Sequence, residues 1–429
     1  MSIKKIDIAE SPAQLQSFLM ETIKRSKFTI SKIKMSEQDE WCISNGVLSH
    51  TSGGFFHIAG LVNWKTKEEK LVLYQPQSAY NGLALCKMDK IVYLLLQARI
   101  EPGNSTIGLF GPTIQSTPAN YLRFHGGKKT AYLDLFLGCN PAIANPIGNS
   151  TQLDLGKRYF QKSKTLSYIE LNELINTEES MIWVPLKVIR EVLSYDNYLN
   201  PDLRSMFSVF DWDLFLDEDN IPRFSKDIDC AFLSGSSTVK KTWKLVPLSK
   251  LNHWDIQDEG IVDLCKSGVS VNIYNITSNI REVKKWSQPL LCSSNKGLIV
   301  LLTRFISNKT EFLISIESEF GISGERIIMP SYNIYPGENN ENITGFEGKG
   351  KVISEMVLSE EGGRFYQNEN VYQVVLIEEE IKIEKNQKWI STDSLKSLLK
   401  SSNQASIQLR CIASLVFDLM NPQTARKLL

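Results

Sequence analysis

At 429 residues the chain is longer than one hydrophobic core usually serves, so two domains of ordinary size are expected. Lys plus Arg and Asp plus Glu total 48 each, giving a formal charge of zero and no long-range field to gather nucleic acid or an anionic membrane. A small-molecule partner is the better expectation. The seven scattered cysteines, with no Cys-x-x-Cys pair and no histidine at ligand spacing, predict reduced core thiols and no metal site.

Met1-Ser2-Ile3-Lys4-Lys5-Ile6-Asp7 carries charges where a signal peptide needs apolar residues, and no later run has the length of a membrane span, so a cytoplasmic location is expected. Residues 1–30 are expected as an N-terminal helical segment and 31–215 as a first repeat. In that repeat Ile91-Val92-Tyr93-Leu94-Leu95-Leu96 is short, β-prone and followed by Gly, Pro and Asn punctuation. Leu186-Lys187-Val188-Ile189-Arg190-Glu191-Val192-Leu193 has helical spacing. The acidic run Asp211 to Asn220 and the flexible Ser234-Gly235-Ser236-Ser237 suit a surface connection, with the linker set at 216–245. A second repeat, 246–429, repeats the order, with Leu298-Ile299-Val300-Leu301-Leu302 as strand and Leu395-Lys396-Ser397-Leu398-Leu399 as helix.

The duplication rests on landmarks. Leu153-Asp154-Leu155-Gly156-Lys157-Arg158-Tyr159-Phe160 matches Ser359-Glu360-Glu361-Gly362-Gly363-Arg364-Phe365-Tyr366. Arg158 and Arg364, Trp183 and Trp389, and Arg204 and Arg410 all stand 206 positions apart. Upstream, Tyr74-Gln75-Pro76 is expected to pair with Ser287-Gln288-Pro289 at an offset of 213, and Glu101-Pro102-Gly103 with Glu319-Phe320-Gly321 at 218, as loop insertions would produce. Each unit then mixes a mostly antiparallel sheet with a few late helices, which makes the class α+β.

Two stretches are specific enough to place the chain beside a known family. They are Gln97-Ala98-Arg99-Ile100-Glu101-Pro102-Gly103-Asn104, continuing through Gly111-Pro112-Thr113-Ile114-Gln115-Ser116-Thr117-Pro118-Ala119-Asn120-Tyr121 to His125-Gly126-Gly127, and Ser359-Glu360-Glu361-Gly362-Gly363-Arg364-Phe365-Tyr366. With the weaker echoes Gly53-Gly54-Phe55-Phe56 and Trp286-Ser287-Gln288-Pro289, the sequence from about Trp41 onward resembles the NDP-hexose 2,3-dehydratases of deoxysugar biosynthesis. The resemblance implies two tandem Nudix-hydrolase-like repeats with mixed sheets, usually in a homodimer. It also implies action on dTDP-4-keto-6-deoxyglucose without a metal or other cofactor, ahead of a downstream 3-ketoreductase. A true Nudix hydrolase needs a glutamate-rich helix with an Arg-Glu start to hold divalent ions, and Ser354-Glu355-Met356-Val357-Leu358-Ser359-Glu360-Glu361 lacks that spacing.

Removing water across C2 and C3 of a 4-keto sugar means abstracting the C3 proton, acidified by the neighbouring carbonyl, and expelling the C2 hydroxyl. A base, an oxyanion partner and an acid are required. Glu101, His125 and Tyr121 are the titratable candidates in the first motif. His125 is expected as base, because an imidazole near its ordinary pKa works at cytoplasmic pH, with Glu101 or Tyr121 protonating the departing hydroxyl. Asn104, Gln115 and Asn120 can hydrogen-bond sugar hydroxyls or the carbonyl. Arg158 and Arg364 can meet the diphosphate, and Gln75 and Glu360 are further substrate-binding candidates from the repeat landmarks. For Arg204 and Arg410 a structural ion pair is the better reading, and the tryptophans are read as core or interface residues, with none assigned to the nucleotide base. Pro102-Gly103-Asn104 and Gly126-Gly127 are also plain turn signals, but the density of Gln115, Asn120, Tyr121 and His125 would be expensive to bury unpaired, and a polar pocket explains them together.

The chain departs from the family pattern in places. Leu153-Asp154-Leu155-Gly156 stands where the family resembles Ser-Glu-Gln-Gly. The second repeat carries Met329-Pro330-Ser331-Tyr332-Asn333-Ile334-Tyr335-Pro336-Gly337-Glu338-Asn339 in place of the Gln and Asn-Tyr pattern, and it has Ser406 where the first keeps Asn200. Catalysis is therefore expected in the first repeat, with the second mainly structural. The alternative is a non-catalytic nucleotide-sugar binding or scaffold protein.

Overall fold

The computed structural model describes residues 5–124, 126–138, 142–209, 242–265, 268–322, 326–338 and 349–420. His125, Cys139, Cys230, the acidic run 211–220, the Ser-Gly segment 234–237 and Asn339 lie outside the described residues.

The fold is α+β, built as two similar sheet-rich halves. In the first, a six-stranded sheet holds Trp41–Ser44, Val47–His50, His57–Asn63, Glu69–Tyr74 and Tyr159–Phe160. A seven-stranded sheet is centred on Ala79–Met88 and Ile91–Ile100. The second half repeats both sheets, the larger centred on Gly297–Ile306 and Lys309–Ser318. Both larger sheets are mixed. Ser163–Leu171 runs parallel to Ala79–Met88, as Glu369–Ile377 does to Gly297–Ile306, among otherwise antiparallel pairs. Strands covered on both faces read as continuous apolar runs, which is why Val92 through Leu96 are all buried, the even positions in the main core and Tyr93 and Leu95 in a second cluster with Trp183.

Helices close each unit. Pro201–Val209 is capped by Asn200, whose Oδ1 accepts from the Leu203 amide at 2.9 Å, and Ile407–Ala413 by Ser406, whose hydroxyl accepts from Leu409 at 3.1 Å. The N-terminal helix Pro12–Ser26 starts after a Ser11 cap with proline at its first position and buries Leu15 and Leu19. Among the described residues no helix is long and apolar enough to cross a membrane.

Equivalent residues do equivalent work. Trp183 lies opposite Leu95 and Trp389 opposite Leu313 in the matching ladders. Thr113 donates to the Leu95 carbonyl at 2.6 Å and accepts from Ala84 at 2.9 Å, while Ser331 donates to Leu313 at 2.6 Å and accepts from Leu302 at 2.8 Å. The ladders correct one expected match. Phe160 pairs with Tyr74 and Tyr366 with Cys292, so Tyr74 corresponds to Cys292 rather than to Ser287, and the two Gln-Pro pairs are not equivalent. Pro289 sits inside its strand, opposite Ile273, whereas Pro76 follows the end of Glu69–Tyr74.

The halves also exchange strands. Thr29–Ile33 lies ahead of the first half yet pairs with Val269–Thr277 of the second, and Trp243–Val246, ahead of the second half, pairs with His57–Asn63 of the first. Each opening strand thereby joins the other half's sheet as a hydrogen-bonded strand.

Two glycine loops lock the halves together about the same pseudo-symmetry. The Gly103 amide donates to Gly362 at 2.7 Å and the Gln367 amide to Gly103 at 2.6 Å; the Gly321 amide donates to Gly156 at 2.8 Å and the Gln161 amide to Gly321 at 2.6 Å. A Cβ on Gly103 would stand 1.6 Å from the Phe365 carbonyl oxygen, and one on Gly321 would stand 1.9 Å from that of Tyr159. Glycine is required here by close approach, not by turn geometry.

Candidate active site

Along the strand Ala79–Met88 the inward row begins with Leu85 and Leu83, which belong to the core. The next residues on that face are Asn81 and Ala79, and there the core gives way to a cavity of about 310 Å³. The first half lines it with Arg99, Glu101, Gln115, Thr117, Asn120 and Lys164, and with the aromatic residues Trp41, His50 and Phe56. The second half contributes Arg281, Trp286, Gln288, Glu361, Gly363 and Arg364. The site is therefore composite, because the contact between Gly103 and Gly362 sets the Glu101 loop of one half beside the Glu361 to Arg364 loop of the other.

Three charged groupings organise it. Arg99 and Glu101 form a buried ion pair at 2.9 Å, with side chains 7% and 6% exposed. Burial works against the Arg99 charge, but the Glu101 carboxylate prevails and raises its pKa. Lys164 sits among Asp202 at 2.8 Å, Asp154 at 3.2 Å and Glu361 at 3.3 Å. Burial opposes its charge too, yet the three carboxylates hold its pKa well above the ordinary value. Burial likewise pushes Glu361 up, and Lys164, Arg364 and Lys162 together hold it below the usual carboxylate range. Lys162, farther back, falls to about 8 under burial and donates to Gln75.

Arg364 makes the third grouping. Its guanidinium lies 4.3 Å over the Phe56 ring and donates to Gly363 at 2.8 Å and Gln75 at 3.3 Å, while its buried Nε has no partner. A cation stacked on an aromatic with a donor to spare is suited to a phosphate oxygen. Trp41 is fixed by its indole N–H to the Ser287 carbonyl at 2.8 Å, and the pKa of His50 is lowered by burial against the influence of Glu40.

Among the described residues, the matching place in the second half is occupied by larger or apolar side chains. Tyr335, equivalent to Thr117, is buried and donates to Glu319 at 2.5 Å, with Arg158 5.6 Å over its ring. Ile299 stands where the first half has Asn81, since Asn81 pairs with Gln115 and Ile299 with Asn333. Burial raises both Glu319 and Glu360 to about 7.

Of the residues singled out by sequence, Glu101, Gln115, Asn120 and Arg364 line the cavity. Gln75 stands behind Arg364. Tyr121 packs against the second apolar cluster, and Asn104 sits buried against Gly362. Arg158 donates to the Pro336 carbonyl and Glu360 accepts from Asn370 at 2.6 Å, both on the side of the filled counterpart rather than in the cavity. Arg204 and Arg410 are structural, but they bond hydroxyls and carbonyls rather than carboxylates: Arg204 to Ser414 at 2.8 Å and Arg410 to Ser205 at 2.6 Å. Sequence reasoning passed over Asn81, Arg99, Thr117, Lys164, Asp202 and Glu361. Arg99, Thr117 and Glu361 lie inside the motifs that carry the family resemblance, Asp202 lies between Asn200 and Arg204, and Asn81 interrupts an otherwise apolar strand.

The chain matches the sequence profile of the NDP-hexose 2,3-dehydratases over residues 12–210 and 230–416. It is 25% identical to a dTDP-4-dehydro-6-deoxy-alpha-D-glucopyranose 2,3-dehydratase of Streptomyces violaceoruber, over 93% of this chain and 96% of that protein. It is 24% identical to the protein of the same name from Saccharopolyspora spinosa, over 95% and 91%. Among solved structures, an ADP compounds hydrolase aligns with 29% of this chain and 69% of that one at 12% identity and a TM-score of 0.20, too slight a likeness to carry a fold assignment.

Proposed function

The chain belongs to the NDP-hexose 2,3-dehydratase family, and on that premise we propose that it eliminates water across C2 and C3 of a dTDP-4-keto-6-deoxyhexose in deoxysugar biosynthesis. The observation that carries the substrate is the composite cavity. It offers the unpartnered Arg364 Nε for the diphosphate and, in the same enclosure, the Arg99–Glu101 pair, Gln115 and Asn120 for a hydroxyl-rich ring.

In the first step the C3 proton, acidified by the C4 carbonyl, passes to a base as the C2–O bond breaks. The hydroxide leaves as water with a proton from an acid. The resulting 2,3-enol takes a proton at C2 and loses the one on its C3 oxygen, giving a 3,4-diketo sugar for a downstream 3-ketoreductase. No electrons are exchanged with a cofactor. Glu101, an ion-paired carboxylate in the cavity, is an acceptor and so is assigned as the base. That exchanges the roles expected from sequence, where His125 was the base: His125, which follows the cavity residues Asn120 and Phe124 in the chain, is assigned as the acid, with Tyr121 as the other candidate. Positioned proton transfer is worth about two to four orders of magnitude.

The same proposal includes a cytoplasmic homodimer and Nudix-hydrolase-like halves, the latter supported by the repeated mixed sheet with its single internal parallel crossover to each central strand. The test is incubation with dTDP-4-keto-6-deoxyglucose, with and without a 3-ketoreductase, followed by NMR. The expected product is the 2-deoxy-3,4-diketo species, trapped as its 3-hydroxy form. Tight nucleotide-sugar binding without any turnover would instead support the scaffold alternative.

A further inference from the structure

We infer that Asn81 is the residue that reads the α-hydroxyketone of the sugar ring, its amide N–H facing the C4 oxygen and its carbonyl the C3 hydroxyl. The assignment rests on the proposed dehydratase activity and names a recognition group within that site.

Asn81 is 0% exposed, and neither its Oδ1 nor its Nδ2 has a hydrogen-bond partner, although the residue lines the cavity. An orphaned buried amide costs stability, so something outside the fold should satisfy it. The fold itself does not ask for an amide there. At the equivalent position of the second half, Ile299 is also 0% exposed in the same central strand. Thr117 repeats the pattern. Its buried hydroxyl has no partner and lines the cavity, while its counterpart Tyr335 fills the second half's space and bonds Glu319. At these two positions the second half carries an apolar residue and a bonded tyrosine, although its Asn333 Oδ1, opposite Ile299, is also buried without a partner.

Neighbouring groups are already engaged. Gln115, directly opposite Asn81, accepts from Asn200 at 2.8 Å, and Lys164 is held by three carboxylates. A carboxamide carries one donor and one acceptor side by side, and an α-hydroxyketone carries the complementary acceptor and donor on adjacent carbons. The N–H contact strengthens as charge develops on the C4 oxygen in the enolate, so its loss falls on kcat more than on KM.

The experiment compares wild type, Asn81→Ile, which copies the second half, and Asn81→Asp, which keeps the acceptor and removes the donor. Melting temperature, the Kd of dTDP and of dTDP-4-keto-6-deoxyglucose, and kcat are measured for each. Asn81→Ile is expected to melt at or above the wild-type temperature, to bind dTDP unchanged and to lose about 100-fold or more in kcat. Asn81→Asp should lose kcat with KM little changed. A fall of several degrees in the melting temperature of Asn81→Ile, parallel loss of dTDP binding, or kcat kept within about threefold would overturn the assignment. A wild type that binds the keto sugar without dehydrating it removes the activity and not the recognition. In that case, weaker keto-sugar binding by Asn81→Ile with unchanged dTDP binding supports the assignment, and equal binding of both overturns it. A wild type that binds neither ligand overturns both.

Discussion

At the scale of single residues the site is governed by buried charge. Lys164 is one cation among Asp154, Asp202 and Glu361, and removing it leaves three carboxylates without their shared partner. Lys164→Met is expected to destabilise the protein by about 3–5 kcal/mol, read from urea unfolding, because stranding a buried charge costs more than an intact pair contributes. In the filled second half the sign is different. Burial raises Glu319 and Glu360 to about 7, so the folded protein holds protons that the unfolded chain has released. Their contribution is fully present below the unfolded carboxylate pKa and is lost as pH rises through about 7. Glu319→Gln should therefore melt higher than wild type at pH 8 and show little difference at pH 4.5. A mutant curve parallel to wild type across that window would contradict the burial assignment.

At the scale of elements, the reciprocal glycine loops decide where the site forms. Gly103 and Gly321 make the same contact in opposite directions, but only the Gly103 loop carries a glutamate into the open cavity. Alanine at either position must displace backbone, and each substitution is expected to cost about 3 kcal/mol or more. Gly103→Ala should also lose turnover at temperatures where it remains folded, because displacing Glu101 by about an ångström is worth roughly a hundredfold in rate. Gly321→Ala, acting beside the filled counterpart, should retain most of its kcat. Equal catalytic losses in the two variants would refute a site confined to one side of the pseudo-symmetry.

At the scale of the whole molecule, the two halves are expected to melt as one. The exchanged strands Thr29–Ile33 and Trp243–Val246, the Lys164–Glu361 ion pair, and Arg204 and Arg410, each bonded to a serine of the other half's closing helix region, all cross between them. Calorimetry should give a single transition with matching calorimetric and van't Hoff enthalpies, unlike most two-domain chains. Two resolved transitions would show that the crossings are energetically minor. By the same physics, a first half ending near 209 lacks the Trp243–Val246 strand and the Arg364 wall, and should neither fold stably nor bind dTDP.

The amino-acid sequence by itself determined the α+β class, the duplication and the identity of the first polar motif. These are local properties: apolar runs form strands, helical spacing marks 186–193 and 395–399, and matched landmarks at one spacing need no knowledge of partners. Even there the Gln75 match with Gln288 failed, because two short Gln-Pro pairs carry less register information than a full ladder. Only the tertiary structure decided that Glu361 and Arg364 reach the cavity of the other half, that Lys164 and Asp202 meet, and that Tyr335 closes the second half's space. It alone also left Asn81 without a partner. Those are relations between residues tens to hundreds of positions apart, fixed by strand exchange and by glycine loops that allow backbones to touch, and a linear pattern carries no record of which groups a fold leaves unsatisfied.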